Sequence, residues 1–167
     1  MSLPHAFSVC FVCTGNICRS PTAESVFRAR LEEAGLDGLV AVDSAGTGGW
    51  HEGDGADHRT VAVLRANGYG SGHVARQFRA AWFDRLDLVI ALDEGHLREL
   101  RRLAPTETDA AKVRLLRSYD PAAQGDPDVP DPYYGDMDGF EECLRMVEAA
   151  SEGLLAAVRN AIEERAA

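Results

Sequence analysis

Apolar positions fall in short blocks along the chain, separated by polar or glycine-containing segments. Phe7 to Val12 is an apolar run that ends at Cys13-Thr14-Gly15-Asn16. Ser20-Pro21 then offers an N-cap followed by proline at the first helical position, so the segment predicts strand, loop, helix. Ala23, Val26, Phe27, Leu31 and Ala34 share one helical face, and Gly35 supplies the stop. Leu39 to Val42 predicts a second strand entering a loop from Ser44 to Gly49, and Val61 to Ala66 part of a second helix closed near Gly68. Leu86 to Leu92 reads as the clearest buried strand, Glu94 to Leu103 as a helix, and Val113 to Leu116 as the last strand. From Phe140 on, Cys143, Leu144, Val147, Leu154, Leu155, Val158 and Ile162 recur at helical spacing, which predicts a long helix covering one face of a sheet. This alternation implies an α/β fold, a parallel sheet with helices on both sides. Between the last strand and the last helix, Asp120 to Gly139 is rich in Pro, Asp and Gly, too long and polar for a mere connector, and predicts a functional loop.

Composition narrows the picture. At 167 residues, 46% apolar and 26% charged, the chain is expected to form a single domain over 1–167. The net charge of −10 repels nucleic-acid backbones and anionic membranes, so neither is an expected partner. No apolar run approaches the ~20 residues a membrane span needs, and Met1 to His5 lacks a signal-peptide pattern, so a cytoplasmic protein is expected. Cys10, Cys13, Cys18 and Cys143 are too few and too clustered to staple a fold of this size, and read as thiols.

The stretch Cys13-Thr14-Gly15-Asn16-Ile17-Cys18-Arg19-Ser20 sets a thiol and a guanidinium across a loop that leads from a strand end into a helix start. Loop N–H groups and the positive end of a helix converge there as they do in phosphate-binding loops. Arg19 can grip two phosphate oxygens, and the same field favours the thiolate of Cys13, a nucleophile. The Ser20 hydroxyl is placed to donate to that sulfur and to help it leave.

Val12-Cys13 through Ser20-Pro21 resembles the signature of the low-molecular-weight protein-tyrosine phosphatases. Ser44-Ala45-Gly46, His73 to Gln77, Asp93, and Asp131-Pro132-Tyr133-Tyr134-Gly135 follow in that family's order and approximate spacing. The resemblance implies a three-layer α/β/α fold with a central, mostly four-stranded parallel sheet and the phosphate-binding loop after the first strand. It implies a hydrolase that cleaves phosphotyrosine and small aryl phosphates through a cysteinyl-phosphate intermediate. Cys13 would be the nucleophile, Arg19 the phosphate clamp and Asp131 the general acid and then base. Thr14, Gly15, Asn16, Ile17, Cys18 and Ser20 would cradle the phosphate, while Trp50, Tyr133 and Tyr134 wall a slot for the phenyl ring. Asn16, Ser20, Ser44 and His73 would hold the loop in shape, and Asp93 would either support the site or merely cap its helix. No metal or cofactor is expected, the partners would be tyrosine-phosphorylated proteins, and the protein would be a monomer or weak homodimer. Asp131 must carry a proton while Cys13 is ionised, so maximal activity is expected on the acid side of neutrality.

Plainer readings cover other residues. Cys10 and Cys143 lie on apolar stripes and read as core thiols. Cys18 is either a spectator or a disulfide partner that shields Cys13 from over-oxidation. His51, His58 and His96 sit among polar neighbours and read as solvated or locally hydrogen-bonded. Thioredoxin-linked arsenate reductases resemble the same loop but need two further cysteines near the third strand, and residues 80–100 contain none. The arginine-phosphatase branch tends to carry Thr at the position of Ile17 and to lack the paired tyrosines. A phosphate-binding module without turnover would be expected to have lost Cys13, Arg19 or Asp131.

Overall fold

The computed structural model describes residues 6–123 and 125–166; the Met1 to His5 start lies outside them. Four parallel strands, β1 (Phe7–Cys13), β2 (Val40–Gly46), β3 (Leu88–Ala91) and β4 (Val113–Leu115), lie in the order β2-β1-β3-β4. Helices α1 (Arg19–Glu33), α2 (His58–Ala66), α3 (Glu94–Leu103), α4 (Glu107–Ala111) and α5 (Met137–Ala166) connect and cover them. The expected α/β architecture is borne out.

The period-two alternation of β1 divides the interior into two cores. Val9, Phe11 and Cys13 join Val40, Val42 and Ile90 on one face, against Val26, Phe27 and Leu31 of α1, Val63 and Leu64 of α2, and Leu144, Val147, Leu154 and Val158 of α5. Cys10 and Val12 point the other way, to Phe78, Phe83, Leu86, Leu100 and Val113. Each fully buried aliphatic or aromatic side chain contributes about 1.5–3 kcal/mol, so the sheet is clamped from both sides. Cys10 and Cys143 are core thiols, as expected: burial pushes Cys143 up to about 12, and Cys10 well above its ordinary value.

Several boundaries move. α1 begins at Arg19, with Cys18 at the N-cap and no side chain capping it, because the Ser20 hydroxyl is engaged elsewhere. Pro21 then sits in the first turn, where its missing N–H costs nothing. β2 continues through Ser44, Ala45 and Gly46 in register with Phe11, Val12 and Cys13, a stretch the sequence assigns to a loop. β3 is shorter than Leu86 to Leu92, yet its end is prolonged: the Leu92 N–H bonds Val12 O at 3.2 Å, and Leu92 O accepts from Val129 at 2.9 Å. That last bond, with Val129 fully buried, pins the polar segment 125–136 beside the sheet. Single 3₁₀ turns at Ala80–Asp84 and Leu116–Tyr119, and the short α4, carry too little periodicity to be read from sequence.

Because β1 has a neighbour on each side and the connections from it diverge, a crevice opens at its carboxyl end, the usual ligand position in such sheets.

Candidate active site

The loop from Cys13 to Ser20 leaves β1 at that crevice and feeds directly into α1. Its carbonyls are turned outward. Cys13 O accepts from Thr47 N–H at 2.8 Å, Thr14 O from Gly48 at 3.0 Å, Ile17 O from Asp57 at 2.9 Å and Cys18 O from Thr22 at 3.3 Å. Asn16 O faces His73 Nε2 at 2.7 Å. In a planar trans peptide the N–H of the next residue points opposite to the carbonyl, so outward carbonyls turn the amides of Thr14, Gly15, Ile17, Cys18 and Arg19 toward the inside of the bend. A ring of donors around one small volume is an anion site. Gly46 permits it, since a Cβ there would lie 2.7 Å from Thr14 O.

Among the described residues Asn16 is the non-glycine residue with positive φ, at 58°. Its buried side chain holds that turn from three directions: Nδ2 donates to Ser20 Oγ at 2.8 Å and to Ser44 Oγ at 3.0 Å, and Oδ1 accepts from the Arg76 N–H at 3.0 Å. Ser44 in turn donates to Glu24 Oε1 at 2.5 Å, and His73 Nδ1 lies 3.9 Å from the same oxygen. Ser20 Oγ is 3.0 Å from Cys13 Sγ, so a continuous hydrogen-bonded chain runs from a carboxylate on α1 to the thiol. The structure thus brings Asn16, Ser20, Ser44 and His73 together as expected, and adds Glu24. Cys18 is a buried thiol that lines the cleft, pushed up to about 12 by burial and then by Asp57.

Arg19 is buried and oriented by both nitrogens. Nη1 donates to Asp93 Oδ2 at 2.9 Å and to Val129 O at 3.0 Å, while Nη2 faces Thr14 Oγ1 and His96 Nε2, each at 3.4 Å, and Asp131 Oδ2 at 3.7 Å. Asp93 therefore does both things considered for it: Oδ1 caps α3 through the His96 N–H at 2.8 Å, and Oδ2 aims the guanidinium. Burial acts to raise Asp93, but the His96 N–H, His96 and Arg19 outweigh it and hold the carboxyl below the usual range.

The opening above this floor is a cleft of about 400 Å³ lined by Cys13, Ile17, Arg19, Trp50, Asp131 and Tyr133, among others. Trp50 is 75% exposed and Tyr134 91%, whereas Tyr133 is 38% exposed and packs edge-on to Tyr134 at 5.0 Å. The Trp50 ring lies over Gly48, where a Cβ would approach it to 1.8 Å. Asp131 hangs over the cleft with the Tyr133 N–H on its Oδ1 at 3.1 Å. Arg59 braces this rim: its guanidinium stacks on Tyr133 at 5.4 Å and Phe140 at 4.5 Å, pairs with Asp57 at 3.0 Å, and donates to Gly135 O at 3.3 Å.

Of the three histidines read as solvated or locally hydrogen-bonded, His96 departs from that reading, while His51 keeps a local contact, its Nδ1 3.3 Å from Asp54 Oδ2. His51 lines the cleft, its ring 3.1 Å from where a Gly15 Cβ would stand. His96 is only 4% exposed, because the start of α3 aims it into the site between Thr14, Arg19 and Asp93. His58 is exposed, as expected. The described residues contain no group of three or more His, Cys, Asp or Glu suited to a metal ion.

Comparison with known proteins gives a consistent result. Residues 8–164 match the family described as low molecular weight phosphotyrosine protein phosphatase. A low molecular weight protein-tyrosine-phosphatase of Streptomyces coelicolor is 76% identical over 162 residues, covering 96% of this chain and 99% of the relative. A protein tyrosine phosphatase from Entamoeba histolytica superposes with a TM-score of 0.88 at 33% identity, covering 92% of this chain and 97% of that one. A Drosophila arginine phosphatase superposes with a TM-score of 0.83 at 31% identity, covering 90% and 96% respectively.

Proposed function

The chain belongs to the low-molecular-weight phosphotyrosine protein phosphatase family, and from that premise we propose that it hydrolyses phosphotyrosine at the cleft over Cys13, with Arg19 and Asp131 as its other reacting groups. The observation that carries the assignment is the outward turn of the carbonyls of Cys13, Thr14, Asn16, Ile17 and Cys18, which leaves inward amides around the thiol.

In the first step the Cys13 thiolate attacks phosphorus, the bond from phosphorus to the phenolic oxygen breaks, and Asp131 gives its proton to that oxygen. In the second, the Asp131 carboxylate takes a proton from water, the water oxygen bonds to phosphorus, and the sulfur–phosphorus bond breaks. The Ser20 hydroxyl, 3.0 Å from the sulfur, donates to the departing thiolate. Arg19 and the loop amides hold the equatorial oxygens, where charge accumulates. Thr14, Gly15, Asn16, Ile17 and Cys18 form the cradle, while Ser44, His73 and Asp93 support it. Trp50, Tyr133 and Tyr134 flank the phenyl ring, which reaches a depth that a short phosphoserine does not.

Hydrolysis of matched phosphotyrosine, phosphoarginine and phosphoserine peptides by the wild type and Cys13→Ser tests this. The expected result is preference for phosphotyrosine, abolished by the substitution. Preference for phosphoarginine would overturn the substrate class and keep the mechanism; turnover persisting in Cys13→Ser would overturn the mechanism.

The same proposal makes tyrosine-phosphorylated proteins the partners of a cytoplasmic monomer or weak homodimer, without nucleic acid or membrane. Among the described residues no helix is long and apolar enough to cross a membrane. Cell fractionation and sedimentation check compartment and assembly.

A further inference from the structure

We infer that His96 is a positioning residue for the phosphate clamp, its Nε2 accepting from the Thr14 hydroxyl and from one Arg19 N–H so that the guanidinium is held facing the cleft. This rests on the function proposed above.

Three observations support it. His96 comes from the first turn of α3, remote in sequence from the loop, yet its Nε2 lies 2.8 Å from Thr14 Oγ1 and 3.4 Å from Arg19 Nη2. Arg19 has only donors, so an imidazole nitrogen facing it must offer a lone pair. That fixes the tautomer: the proton sits on Nδ1, above Asp93 Oδ1 at 3.1 Å. Nδ1 stands close to Asp93 Oδ1 without a hydrogen bond of good geometry, while the same oxygen accepts the His96 backbone N–H at 2.8 Å. Asp93 holds the His96 backbone, and the ring sits with its Nδ1 edge beside that carboxylate and its Nε2 edge turned to the clamp. Burial, and then the Arg19 charge, push the imidazole down to about 4, so it stays an acceptor at neutral pH.

The arrangement divides the work on Arg19. Asp93 and Val129 O occupy Nη1. Without His96, Nη2 would keep only the 3.4 Å contact to Thr14 and the 3.7 Å approach to Asp131. The guanidinium would then be free to swing toward the Asp131 carboxylate and away from phosphate. Thr14, whose hydroxyl gives its proton to His96, presents its lone pairs to Arg19, so the three side chains form one directed chain.

The test compares His96→Leu, His96→Gln, Thr14→Val and the Thr14→Val/His96→Leu double variant with the wild type. The readouts are kcat and KM on a phosphotyrosine peptide, inhibition by inorganic phosphate, and Tm. Loss of the acceptor should lower kcat/KM about ten- to a hundredfold in His96→Leu and weaken phosphate inhibition by a similar factor. Gln can place an oxygen near the Nε2 position and should recover most of both. The double variant should be little worse than His96→Leu alone. Imidazole ¹⁵N shifts of the wild type should report an unprotonated Nε2 at neutral pH. A lowered Tm with phosphate inhibition unchanged in His96→Leu, a folded His96→Gln no better than Leu, or a protonated Nε2 would each overturn the inference. Should His96→Leu fail to fold, His96→Gln and the wild-type spectrum carry the test. Phosphate binding read as a Tm shift needs no turnover, so this result stands apart from whether Cys13→Ser is inactive.

Discussion

The cleft is made of two unlike halves. Its floor, Cys13 to Ser20, is almost wholly buried beyond Gly15, and its carbonyls and side chains are tied to β2, α2, α3 and the segment around Arg76. Its rim, Asp131 to Gly135, is mostly exposed and depends on Arg59 and on two local bonds, from the Tyr133 N–H to Asp131 and from the Gly135 N–H to Pro132 O. The floor is shaped before substrate arrives, at a cost in backbone strain; the rim is left adjustable where a proton must be moved and a varied ring accepted. Electrostatic stabilisation requires fixed dipoles, whereas general acid catalysis requires only that the acid reach the leaving oxygen.

If that division is right, substitutions in the rim should act on turnover and those in the floor on stability as well. Within the rim the largest kinetic change is expected from Asp131→Asn, a loss in kcat of about 10²–10⁴-fold with Tm nearly unchanged. The loss should shrink for an aryl phosphate whose phenol is a good leaving group; equal losses across leaving groups would remove Asp131 from the acid role. Asn16→Ala should cost about 3 kcal/mol in denaturant unfolding, combining lost hydrogen bonds with a side chain forced into positive φ. Asn16→Gly separates the two, since it relieves the backbone and not the bonds.

Acid should weaken the floor through His96. Its value is depressed from 6.5 to about 4, chiefly by burial and then by Arg19, against Asp93, Glu99 and Asp131, which act to raise it. The unfolded chain therefore binds the proton first, so the stability tied to the neutral ring is complete above pH 6.5 and is lost as pH falls toward about 4. The loss is at most roughly 3 kcal/mol, and it should vanish from the pH dependence of Tm in His96→Leu. Arg59→Ala should lower kcat/KM about tenfold by loosening the rim, with a stability change near 1 kcal/mol. The smallest effect belongs to Tyr134→Ala: within about 0.5 kcal/mol in stability, because the ring is 91% exposed, with KM for phosphotyrosine peptides raised.

The same two halves differ in how far sequence reveals them. The alternating strands and the stripe of α5 are legible because burial imposes a period, and Glu94–Leu103 appears with its bounds unchanged. Cys13, Arg19 and Asp131 are legible because their spacing and neighbours are distinctive. His96 is not: Glu94, Arg98 and Glu99 around it speak of solvent, and only the direction of the first turn of α3 brings the ring inside. Glu24 reads as an ordinary polar position on α1, and its bond to Ser44 spans two elements. Ser20-Pro21 suggests a helix start two residues late, since the sequence offers Ser20 both as a helix cap and as a partner of Cys13, and only the second role is realised.

Arg19 is held by Asp93, 74 positions further on, and by Val129, 110 positions further on. During synthesis the reactive loop is thus made well before the groups that orient it. At about 5–20 residues per second the interval is roughly 5–20 s. Throughout that time the nascent chain carries a cysteine and an arginine without a clamp, so phosphatase activity should switch on only once the segment through Val129 has emerged.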